Sequence, residues 1–119
     1  MTNIPNRISA ESQVVLDFSD FLELVKNVRA QMAQAIGELV SMLEAAAASD
    51  ADLDFAGLVR ASQQLLELDD ADLARILNVS RPTVGRWTRG VSSPHPLARK
   101  AIFDALARSA RGKLKLLRD

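Results

Sequence analysis

Residues 68–90 read Leu68-Asp69-Asp70-Ala71-Asp72-Leu73-Ala74-Arg75-Ile76-Leu77-Asn78-Val79-Ser80-Arg81-Pro82-Thr83-Val84-Gly85-Arg86-Trp87-Thr88-Arg89-Gly90. Their order predicts two short helices joined by a tight turn. Asp69 is an N-cap residue type, and Asp72 falls at N3, where a carboxylate bonds back to the cap and favours the helix dipole. Leu73, Ile76 and Leu77 then form an i, i+3, i+4 apolar face. Asn78 stands where such a turn needs a positive φ, and Asn tolerates that region best after Gly. Ser80 caps the next helix, and Pro82 sits in its first turn, where a missing N–H breaks no internal bond. Val84 and Trp87 supply the buried side, with Trp87 read as core packing, and Gly90 ends the helix as a C′ residue. Ala74 is small where the two helices cross, and Val79 and Val84 fill the angle between them.

Outward from this stretch the periodicities stay helical and predict an all-α fold. On the N-terminal side, Val14, Phe18, Phe21, Val25, Val28, Met32, Ala35, Leu39, Met42 and Ala46 recur at alternating spacings of 4 and 3. That is a heptad pattern, and it predicts one long helix over residues 12–48 after a flexible N-terminus at 1–11. Val15, Leu22, Ile36 and Leu43 widen the stripe, which favours a bundle over a strict zipper. Val14, Phe18, Phe21, Val25, Val28, Met32, Ala35, Leu39 and Met42 are therefore expected to form an oligomerisation seam, most simply in a homodimer. The competing reading packs this helix lengthwise on its own chain. Ser49, Asp50 and Asp52 are turn and cap types, so the chain is expected to break there and restart near Leu53. Leu58, Val59, Leu65 and Leu66 then supply apolar positions, and Leu58, Leu73, Val84 and Trp87 are expected to form a core within residues 53–119.

The net charge of zero conceals an asymmetry. Residues 1–68 carry 4 Lys and Arg against 10 Asp and Glu, a balance of −6, and residues 69–119 carry 11 against 5, a balance of +6. A basic half is the electrostatic footprint of a polyanion binder. The acidic half leaves room for a protein partner. With no cysteine and a single histidine, His95 between Pro94 and Pro96, disulfide frameworks, thiolate metal sites and cysteine nucleophiles are excluded. No Gly-rich phosphate loop occurs, and Asp69, Asp70 and Asp72 are explained by capping. Neither an enzyme nor a cofactor or metal site is expected. No apolar run approaches the ~20 residues of a membrane span, and the first ten residues lack signal-peptide character, so a cytoplasmic protein is the expectation.

Residues 68–90 also resemble the lambda-repressor-like (Xre/Cro-type) helix-turn-helix, through Leu73-Ala74, Val79-Ser80 and Trp87-Thr88-Arg89-Gly90. The resemblance extends over about residues 53–108, including the loop from Val91 to Pro96 and a helix from about Leu97 to Ala107. It leaves out the long N-terminal helix. It implies a compact helical bundle whose motif helix enters the major groove of double-stranded DNA, in a nucleoid-associated regulator. Two positions depart from the pattern: Asp70 stands where the family commonly has a phosphate-clamping glutamine, and Asn78 replaces the turn glycine. Gly112 is expected to interrupt the last segment, leaving 109–119 as a basic tail.

On that implied fold, residues 81–89 carry the chemistry. Arginine reads guanine bidentately through O6 and N7, which makes Arg81 and Arg86 the base readers. Pro82 offers apolar contact, and Gly85 is expected to let the helix approach the groove. Ser80, Thr83 and Arg89 are assigned to phosphate, with Arg99 and Lys100 widening the backbone footprint, and Arg111, Lys113 and Lys115 extending it. The function expected is a sequence-specific DNA-binding transcriptional regulator acting as a dimer or higher oligomer. An autoregulating antitoxin and a helical adaptor that binds no DNA are the other readings compatible with the chain.

Overall fold

The computed structural model describes residues 17–49 and 54–119, and within them every regular element is a helix. The helices are α1 (Phe18–Ala48), α2 (Phe55–Leu66), α3 (Asp70–Leu77), α4 (Arg81–Thr88) and α5 (Pro96–Arg118). The fold is all-α. The flexible N-terminus expected at 1–11, the seam residue Val14 and the helix restart at Leu53 lie outside the described residues. The chain divides into two compact units, one ending at Gln31 and the other spanning Met32–Asp119, with α1 contributing to both.

Each helix boundary has a local cause. Asp54 caps α2 by accepting from the Gly57 N–H at 2.9 Å. A Cβ at Gly57 would run into that carboxylate, so glycine leaves room for the cap. Asp69 and Asp72 form the reciprocal capping box of α3, with Asp72 N to Asp69 Oδ1 at 2.7 Å and Asp69 N to Asp72 Oδ2 at 3.1 Å. The bond from the Asp69 backbone, reinforced by Arg75, holds the Asp72 carboxyl below its ordinary value. A depressed carboxylate contributes stability above the ordinary carboxylate range, and that contribution is lost as pH falls through its folded value. Asn78 ends α3 in the left-handed region at φ 58°, and the Val79 N–H reaches back to Ala74 O at 2.9 Å. Gly90, at φ 73°, closes α4 in the same way, with Val91 N to Arg86 O at 2.9 Å. Glu67 ends α2 at φ 56°, a position the sequence did not mark.

The core of the second unit contains Val59, Leu73, Val84 and Leu106, all at 0% exposure. Phe55 sits at its aromatic centre, edge-on to Trp87 at 5.6 Å and tilted against Phe103 at 5.5 Å. Ser62, fully buried, is satisfied by donating to Leu58 O at 2.8 Å. Ile76, expected on the inner face of α3, is exposed instead.

Two expectations are corrected here. The first is the seam. Leu39 is buried in the chain's own core, together with Ile36, Val40, Leu43 and Ala46, and Met32 and Ala35 are half-buried. The physical reason is the width of the stripe. Leu39 with Ile36, Val40 and Leu43 makes a face broad enough to cover a globular core, which a heptad seam alone does not. Phe18, Phe21, Val25, Val28 and Met42 remain exposed, so only part of the row is core. The core accordingly begins at Ile36 and not within residues 53–119.

The second correction concerns 109–119, which is helix and not tail. Phe103, Leu106, Ala110, Leu114 and Leu117 continue one apolar row through this segment, and Ala110 is fully buried. Gly112 faces solvent with nothing near the position its Cβ would take. The continuous row outweighs the low helix propensity of one exposed glycine. Gly112→Ala is therefore expected to stabilise the protein by about 1 kcal/mol, read as a higher urea midpoint at unchanged slope.

Candidate nucleic-acid interface

Helix α4 is two-sided. Val84 and Trp87 face the core, whereas Arg81, Pro82, Arg86 and Arg89 are exposed. Its N-terminus is set by Ser80, whose hydroxyl accepts from the Thr83 N–H at 3.2 Å. The same hydroxyl shares a hydrogen bond with Thr83 Oγ1 at 2.8 Å, and Arg86 Nη2 donates to that Thr83 oxygen at 3.1 Å. Ser80, Thr83 and Arg86 thus form one connected polar row on the outer face. Thr83, assigned from sequence to phosphate, also holds the Arg86 guanidinium.

Gly85 is covered on the outer side of the helix. It is buried, because Arg89 folds back over it: a Cβ there would stand 3.0 Å from Arg89 Nη1 and 4.0 Å from Asp70 Oδ2. The expected close approach of this glycine to a groove is replaced by an internal role, which is to make room for the Arg89 head. Asp70 is held by Gln63, whose Nε2 donates to its Oδ1 at 2.8 Å.

The basic residues beyond α4 divide by what they already touch. Arg99 and Lys100 are half-buried at the start of α5, and both make contacts of their own. Arg99 lines a cavity of about 330 Å³ with Asp54, Phe55, Trp87 and the loop Gly90–Ser93. Arg111 is paired with Glu44 at 2.6 Å, and Lys113 donates to Glu67 at 3.0 Å and Leu65 O at 3.3 Å. These two cations stitch the fold. Lys115 is exposed.

Arg60 escaped the sequence reading. From α2 its Nη1 donates to Thr88 O at 2.6 Å and closes the C-terminal end of α4. The pairing spans 28 residues, and only a cation at a helix C-terminus hints at it. His95 caps α5 by accepting from the Leu97 N–H at 3.1 Å. No helix of the described residues is long and apolar enough to cross a membrane. No protein-family model, curated protein or solved structure matches the chain.

Proposed function

We propose that the protein binds double-stranded DNA sequence-specifically through α4 laid in the major groove, as a dimer or higher oligomer joined through the exposed part of α1, and that it regulates transcription. One observation carries the reading. A short helix held from behind by Val84 and Trp87, capped at both ends and preceded by a tight turn, presents Arg81, Arg86 and Arg89 on its open side. Arg81 and Arg86 are the base readers in this scheme. Arg89, drawn back over Gly85, and the start of α4 serve phosphate.

The test is selection from a random duplex pool followed by titration of variants. Arg86→Ala is expected to cost about 1–3 kcal/mol at one base step and to relax the preference there. Arg89→Ala is expected to weaken all sequences alike and to lower the salt slope by about one unit. A pool that yields no enriched sequence removes the DNA reading and leaves a helical adaptor.

A further inference from the structure

The exposed stretch of α1 has a symmetry that selects one way of pairing. Phe18, Phe21, Leu22, Leu24, Val25 and Val28 are all large, apolar and between 42% and 70% exposed. Reversing the chain direction about Glu23 maps this set onto itself: Phe18 takes the level of Val28, Phe21 that of Val25, and Leu22 that of Leu24. The charges follow the same reversal with opposite sign, Asp17 taking the level of Arg29 and Asp20 that of Lys26.

We infer that residues 17–29 of two copies of this chain pair antiparallel, with a two-fold axis passing at the level of Glu23. The inference rests on the oligomeric part of the proposal above and is independent of DNA. In an antiparallel pair each layer sets an a position against a d position, which places Phe18 beside the partner's Val28 and Phe21 beside the partner's Val25. The acidic start of one segment then lies along the basic end of the other. A parallel pair stacks Asp17, Asp20 and Glu23 of both copies at one end and Lys26 and Arg29 at the other, which repels at both. Leu22 and Leu24 flank the row on either side. A two-fold operator uses the same patch on both copies, as a self-complementary segment requires. The two phenylalanines offer roughly 250 Å² per copy, and the four aliphatic side chains a similar area. The total is about 1,000 Å² for the pair, near the floor for a specific interface.

The chain has no cysteine, so introduced thiols report without background. Full-length Phe18→Cys and Val28→Cys chains are oxidised separately and mixed, at tens of micromolar, and sedimentation of the unaltered chain is run beside them. The expected result is a disulfide dimer from the mixture and little from either chain alone, because like positions stand ~15 Å apart along the axis at 1.5 Å per residue. Self-cross-linking of each chain alone means parallel pairing and overturns the inference while sparing the oligomeric reading. A dimer in sedimentation with no cross-link in any mixture places the seam elsewhere and also overturns it. A monomer at these concentrations overturns both.

Discussion

Deleting residues 1–48 is expected to unfold the remaining chain, whereas deleting residues 1–31 leaves it folded. The difference lies in Ile36, Leu39, Val40, Leu43 and Ala46, none more than 8% exposed and all part of the core of the second unit. Burial of a large aliphatic side chain contributes about 1.5–3 kcal/mol, so the four larger residues account for roughly 6–12 kcal/mol. A domain of this size has about 5–15 kcal/mol in total. The longer deletion also strands Arg111 without Glu44 and uncovers Leu114, which approaches Gly37. Circular dichroism through a thermal ramp separates the outcomes. The chain from Met32 onward should melt cooperatively, and the chain from Ser49 onward should show no transition. A cooperative melt of the shorter chain at the temperature of the intact protein would show that α1 only decorates the domain.

Trp87→Ala is expected to cost about 3–5 kcal/mol. Trp87 is 6% exposed and packs edge-on to Phe55, which in turn meets Phe103, so its removal opens a cavity where α2, α4 and α5 converge. Arg86→Ala, on the opposite side of the same helix, should leave stability within about 0.5 kcal/mol of the parent. Urea unfolding of both variants distinguishes a loss of the helix support from a loss of its outer chemistry. A Trp87→Ala chain as stable as the parent would mean that α4 is held by its caps alone. On the proposed function, the tryptophan variant loses affinity for every sequence, because the helix is no longer held in place.

The local devices of residues 68–90 were legible because each is written within a few positions of itself. The Asp69/Asp72 box, the positive φ of Asn78, the Ser80 cap and the Gly90 terminator all depend on short-range chemistry, and all are present. What spacing alone could not decide was the destination of an apolar face. The row from Phe18 to Ala46 has one periodicity, yet its first part is exposed and its last part, apart from Met42, is buried or half-buried, a division set by which other helices exist to cover it. The same limit explains the C-terminal segment, where Gly112 reads as a break until Ala110 and Leu114 find a partner surface. Contacts between helices, such as Arg60 on Thr88 O and Gln63 on Asp70, leave no mark in a linear pattern. At the candidate interface the identity of the exposed arginines was readable, whereas the burial of Gly85 beneath Arg89 was not.

The pairing of Glu44 with Arg111 joins residues 67 apart in sequence, and Gly37 meets Leu114 across a longer interval. Such a closure fixes an order of events during synthesis. Ile36, Leu39 and Leu43 leave the ribosome well before Arg111 and Leu114, the α5 residues that meet Glu44 and Gly37, are made. At about 5–20 residues per second, the wait is several seconds. Throughout that interval the apolar row is continuous from Phe18 to Ala46, and neighbouring nascent chains have a longer sticky surface than the finished protein does. In the folded protein the row's exposed members are Phe18, Phe21, Val25, Val28 and Met42. Folding that awaits the last helix thus leaves a shorter apolar stripe than the nascent chain carries.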